Sequence, residues 1–255
     1  MMTDLRINKL RRFNLIAGIL HTLQMLAVLA LSNDFSLPIT ATYMSGPPGT
    51  TYADPVVVMS SPIGIAVALF LGLSAVAHFV VISPMFWSRY STGLAQRHNY
   101  FRWVEYGLSS SVMIVLIAQI CGATDAMALM AIFGVNASMI LFGWLQEKYE
   151  EPGNGGWLPF IFGCITGAVP WIAVVFYILA PKSPVQATPP AFVYGIVLTI
   201  FVLFNSFAWV QYKQYKAKGK WSDYLYGERA YIILSLVAKS LLAWQIFANT
   251  LIPTT

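Results

Sequence analysis

The sequence predicts an all-α membrane protein: a seven-transmembrane-helix bundle, N-terminus cytoplasmic, with a short β-hairpin in the first extracellular loop. Three observations predict it. Of 255 residues, 58% are hydrophobic and only 10% charged, against about 25% charged in soluble domains. Seven apolar runs recur, each near the roughly 20 residues needed to cross a hydrocarbon core of about 30 Å. The cations gather in alternate connections between these runs. That placement accounts for the net charge of +5 without a nucleic-acid partner. Cys121 and Cys164 sit in separate runs and offer neither metal spacing nor a disulfide framework. There is no zinc motif, Walker loop, dinucleotide fingerprint or internal repeat, so no metal ligands are assigned.

The chain reads as a single membrane domain over 1–255, with spans at approximately 12–32, 62–86, 101–121, 125–146, 157–180, 190–212 and 229–251. Arg6, Lys9, Arg11 and Arg12 precede the first run, which has the basic start and the small residues (Ala30, Ser32) of a signal peptide. His21 and Gln24 interrupt it where a signal core is apolar, so a retained span is expected. In the connection 33–61, β-branched-rich runs at 37–43 and 52–59 flank Ser45-Gly46-Pro47-Pro48-Gly49 and read as a hairpin, a lid or a partner surface. Arg89 and Arg97 follow the second span, Lys148 the fourth, and Lys213, Lys216, Lys218 and Lys220 the sixth. The alternate connections hold Asp34, Asp54 and Asp125, with Lys182 as their single cation. By the positive-inside rule the N-terminus is cytoplasmic and the C-terminus extracellular. The connection 213–229 interleaves lysines with Tyr215, Trp221, Tyr224 and Tyr226, which suits an anionic headgroup surface or a docked cytosolic partner.

Within the last span, Lys239 lies far from either membrane end. A lysine at mid-membrane costs about 2.5–3.5 kcal/mol on a translocon scale, so its retention needs a reason. It either pairs or snorkels to hold helices together, or its amine has condensed with an aldehyde to a Schiff base. Glu105, in the inner half of the third span, is the available partner. Ser235 stands one turn before Lys239 on the same helical face, and Ser109 one turn beyond Glu105.

His21 and Gln24 share a face of the first span; Ser74 and His78 share one on the second. Each histidine alone fits a satisfied interhelical polar residue. With Glu105 and Glu147, they place the titratable side chains in the middle or inner half, whereas the outer halves hold neutral groups such as Gln119, Gln245 and Asn249. A transmembrane ion path usually has polar stations on both sides of its centre, so the asymmetry favours a device that stores or reports a proton. Spans four to six are rich in small and aromatic residues, which fits helix packing in lipid and also an aromatic-walled slot for a long polyene.

The inverted topology, Ser235-x-x-x-Lys239, Arg102-Trp103-Val104-Glu105-Tyr106, Asn136-Ala137-Ser138-Met139-Ile140-Leu141-Phe142-Gly143-Trp144 and Gly227-Glu228-Arg229-Ala230-Tyr231 resemble heliorhodopsins over essentially the whole chain. The resemblance implies all-trans retinal on Lys239 as a protonated Schiff base, Glu105 as counterion and Ser235 as its hydrogen-bonding neighbour. It makes His21, Ser74 and His78 the cytoplasmic-side polar cavity, to which Gln24 and Glu147 are added from their positions. Met139, Trp171 and Phe204 become chromophore walls. It further implies a homodimer in the lipid bilayer, with the hairpin in the contact, and a slow photocycle without ion transport for most members.

The function expected is therefore a non-enzymatic light sensor. Light isomerises the chromophore, the proton leaves for the inner cluster, and a conformational signal reaches an unidentified cytoplasmic partner through 213–229. Two other readings stay open: a light-driven proton or ion transporter or channel, and a retinal-free scaffold in which Lys239–Glu105 is only a structural bridge.

Overall fold

The first helix of the computed structural model, α1 (Met2–Leu31), starts well before the run that predicts it. The structure describes residues 2–179 and 189–253, so Lys182 lies outside the described residues. Ile7 and Leu10, one helical turn apart, explain the early start. They are buried against Tyr90, Leu94, Tyr224 and Leu225, so apolar packing carries the helix through its basic first turns.

A two-stranded antiparallel sheet follows, β1 (Ser36–Ala41) against β2 (Val56–Pro62), with a register irregularity between Ile39 and Thr40. The hairpin forms as expected, but its second strand starts later than 52. Pro55 has no N–H to give a ladder, and Tyr52 instead makes an isolated bridge to Met44 nearer the tip. At the turn, Gly49 takes φ +92°, open to glycine at little steric cost. The base is tied to the bundle: Thr40 N donates to Thr124 O at 2.8 Å. Asn33 Nδ2 donates to Thr250 O and to Ile252 O, both at 3.1 Å.

Helix α2 (Ile63–Ile82) ends where Ser83 turns extended, and Pro84 opens a separate helix, α3 (Pro84–Ala95). Proline suits a first helical position, where no intrahelical N–H bond is lost. The expected second span, 62–86, is thus corrected to one span plus an unforeseen connecting helix that buries Tyr90, Gly93 and Leu94. Asn99 caps α4 (Tyr100–Ile120) and Asp125 caps α5 (Ala126–Tyr149), each side chain accepting a backbone N–H of the first turn. Helix α6 (Leu158–Leu179) carries Pro170 internally, and α7 (Ala191–Lys216) ends at Ala217 in a left-handed conformation.

The last helix, α8 (Tyr224–Ile246), begins five residues before the expected 229 because Asp223 caps it, and closes in a π-helical turn, Phe247–Leu251. Glu228, expected in a connection, is therefore inside a helix. Among the described residues, seven helical segments are long and apolar enough to cross a membrane. Their outward faces carry large apolar side chains such as Ile65, Leu69, Val76 and Ile172, an exterior that matches hydrocarbon rather than water.

Packing sorts the interior by depth. Val28, Phe70, Ile114, Ile117, Leu242 and Ile246 belong to a large apolar cluster toward the hairpin end. A smaller cluster, including Leu10, Tyr90 and Ile232, closes the basic end. The buried charges lie between them.

Candidate functional site

Lys239 is 3% exposed on α8. Its Nζ donates to Glu105 Oε1 at 2.7 Å and to Ser235 Oγ at 2.9 Å. Ser235 reaches it because residues four apart stack along one helical face. Ser74 Oγ, from α2, donates to the same Glu105 oxygen at 2.6 Å. Ser74 is therefore a ligand of the carboxylate as well as a neighbour of His78. Three helices thus meet at one buried ion pair, and removing either charge of such a pair costs about 3–5 kcal/mol. Ser109 is buried beside them, and its Oγ has no hydrogen-bond partner among the described residues.

On the other side of Lys239 lies a cavity of about 520 Å³, within the range of small-molecule sites. Met139, Trp171 and Phe204 all line it. Trp171 stands edge-on to Phe201 and Phe204, with ring centroids 5.1 and 5.7 Å apart. Trp103, Tyr106, Phe207 and Tyr231 complete the aromatic wall. Gly143 makes room for Trp103: a Cβ there would meet the indole at 2.6 Å. At Gly167 a Cβ would meet Met139 Sδ at 2.5 Å. A primary amine at the edge of an apolar, aromatic-walled cavity, with one carboxylate to balance it, is a donor set that fits an aldehyde-bearing polyene.

The expected polar cluster is only partly assembled. The rings of His21 and His78 are stacked, 5.6 Å apart and 13° from parallel. His21 is fully buried, with no hydrogen-bond partner for either ring nitrogen among the described residues. His78 Nδ1 lies 2.7 Å from Asn14 Oδ1. Since a carboxamide oxygen only accepts, His78 donates there. Asn14 Nδ2 passes the chain to Tyr90 OH at 3.1 Å, and Tyr90 OH donates to Glu228 Oε1 at 3.2 Å.

Two assignments are corrected. Gln24 does not join the histidines. Its Oε1 accepts from Trp244 Nε1 at 3.1 Å on the α1–α8 side, because a three-residue step turns it about 60° away from His21. Glu147 belongs to a separate network around Arg102, which donates to Glu147 Oε1 at 2.6 Å and also to Glu228 Oε2. Trp103 Nε1 and Tyr224 OH also donate to Glu147, at 2.5 and 2.7 Å. Asn99 Nδ2 donates to Glu228 at 2.7 Å. The guanidinium lies 4.1 Å from the Tyr231 ring centre, a cation–π contact.

Sequence reading missed Arg102 and Glu228 as members of this network. The available signal was a pair of charges near the starts of two apolar helices, Arg102 in the first turn of α4 and Glu228 in the second turn of α8. A small cavity of about 40 Å³ touches Asn14, Ser74, His78, Tyr90, Glu105 and Glu228. It joins the two clusters and is large enough for ordered water. Burial and the Glu228 carboxylate push the Tyr90 hydroxyl well above its ordinary value, keeping it a donor.

A family model described as heliorhodopsin matches residues 10–251, nearly the whole chain. No curated protein matches the sequence.

Proposed function

The chain belongs to the heliorhodopsin family and is a retinal-binding, rhodopsin-type membrane photoreceptor, and from that premise we propose that it is a light sensor signalling without net ion transport. The observation that carries the proposal is the buried Lys239–Glu105 pair at the edge of an aromatic-walled cavity. All-trans retinal, attached at the Lys239 nitrogen, supplies light absorption and a double bond that isomerises.

The protein's own groups do the rest. In the dark, Glu105 balances the positive charge at the Lys239 nitrogen, Ser235 hydrogen-bonds to that nitrogen, and Ser74 holds the carboxylate in place. Ser109, Met139, Trp171 and Phe204 shape the slot beside it. When the Lys239 N–H turns away from Glu105, a desolvated charge-assisted hydrogen bond is lost, and the nitrogen gives up its proton. The stacked His21 and His78 receive it. Opposite them, the apolar cluster of Val28, Ile117 and Leu242 offers no proton relay. Return by the same route resets the dark state with no ion moved across the membrane.

The basic residues in the first turns of α1 and between α7 and α8 support a cytoplasmic N-terminus and an extracellular C-terminus. The whole of 1–255 acts as one domain. The connection from α7 to α8 passes the signal to a cytoplasmic partner, and the hairpin, with Val57 and Met59 exposed, contributes to a homodimer contact.

The test is reconstitution with all-trans retinal, borohydride reduction and mass analysis of the peptide around Lys239. Wild type is expected to form a pigment and a mass-shifted peptide, and Lys239→Ala neither. An unmodified wild-type peptide would overturn the proposal.

A further inference from the structure

At the basic end of the bundle, between the first turns of α1 and the start of α8, lies a third cavity, of about 350 Å³. Arg6, Lys9 and Arg229 give it three cations, with Leu10, Phe13 and Leu225 as its apolar side. Arg6 is neutralised in part by Asp223, with which it pairs. Arg229 leans over the Phe13 ring, 5.9 Å from its centre. A stacked guanidinium keeps its edge donors directed outward in a fork suited to phosphate oxygens. Lys9 adds a point charge, and Tyr226 a phenol.

We propose that this cavity binds the headgroup of an anionic phospholipid, with the phosphate between Lys9 and Arg229 and the chains running along Leu10 and Phe13. Two features select a lipid over a free anion. The cavity opens within the first turns of the membrane-length segment Leu5–Leu31, the depth at which basic pockets between transmembrane helices take headgroups. Its lining surface is also mostly apolar, which a hydrated inorganic ion has no use for. The inference is independent of retinal, because no lining residue belongs to the chromophore cavity.

The experiment is native mass spectrometry of the full chain titrated with phosphatidylglycerol or phosphatidylcholine. Phosphatidylglycerol is expected to bind preferentially. Lys9→Gln/Arg229→Gln should weaken it on the order of thirtyfold, at about fivefold per cation near an anionic surface. Arg97→Gln/Lys148→Gln removes the same charge from the same end outside the cavity and should leave binding unchanged. Helix content by circular dichroism reports whether each variant is folded; if the first pair does not fold, Arg229→Gln alone should show about a fivefold loss. Equal loss in both pairs, equal binding of the two lipids, or displacement of the lipid by millimolar inorganic phosphate would overturn the proposal.

Discussion

At the scale of single residues, two buried charge systems with different roles sit within a turn of each other on α4. Glu105 faces Lys239, whereas Arg102 is held between Glu147 and Glu228. Replacing Glu105 by Gln removes the charge paired with Lys239. The absorption band of the pigment is expected to move to longer wavelengths while the nitrogen stays protonated, and an absorption spectrum checks it. Arg102→Ala leaves two buried carboxylates without their cation, and the expected cost is about 3–5 kcal/mol, read as a lower thermal-bleaching temperature. Gly143→Ala forces a methyl into the Trp103 ring, and overpacking of that kind costs about 1–3 kcal/mol. Its expected signature is a weakened or shifted pigment band, because Trp103 also lines the aromatic-walled cavity beside Lys239. Lys239, Ser235 and Glu105 were legible from position and periodicity. The destination of Glu147 was not, since nothing in its own stretch says which of two inner clusters its helix turns toward.

At the scale of elements, α3 and the early start of α8 bring the inner network together. Tyr90 on α3 donates to Glu228 on α8, and burial with that carboxylate raises its hydroxyl well above the usual range near 10. A hydroxyl whose folded value is raised keeps its full contribution below the unfolded value and loses it as pH climbs toward the folded one. Stability to thermal bleaching is therefore expected to fall above about pH 10, and less steeply in Tyr90→Phe. At the opposite end, Asn33 clasps the last turn of the chain through Thr250 and Ile252. Asn33→Ala frees two carbonyls there and should cost about 1–2 kcal/mol, measurable by the same bleaching assay. The α3 helix escaped sequence reading because its apolar start merges with the end of the second run; only the break at Ser83–Pro84 separates them, and hydropathy does not register it.

At the scale of the whole molecule, polarity is stratified: charges and histidines toward the basic end, an apolar plug toward the hairpin. A bundle arranged in this way should pass no proton across. In liposomes carrying the pigment, illumination is expected to produce no pH change that a protonophore abolishes. A protonophore-sensitive signal would favour the transporter reading instead. Seven spans, the hairpin and the mid-membrane lysine were all legible, because each is written in a contiguous stretch whose physics is local: length against bilayer thickness, turn residues between β-branched runs, one cation in an apolar helix.

What the sequence determined by itself was the membrane, the number of crossings, and the placement of a lysine and a carboxylate deep inside them. What only the tertiary structure decided was company: Ser74 on the Glu105 carboxylate, Gln24 with Trp244, and Arg102 with Glu147 and Glu228 drawn from three helices. The reason is angular. Helical periodicity fixes which residues share a face, but which neighbour that face meets depends on how every other helix is rotated and seated, and no single segment carries that information.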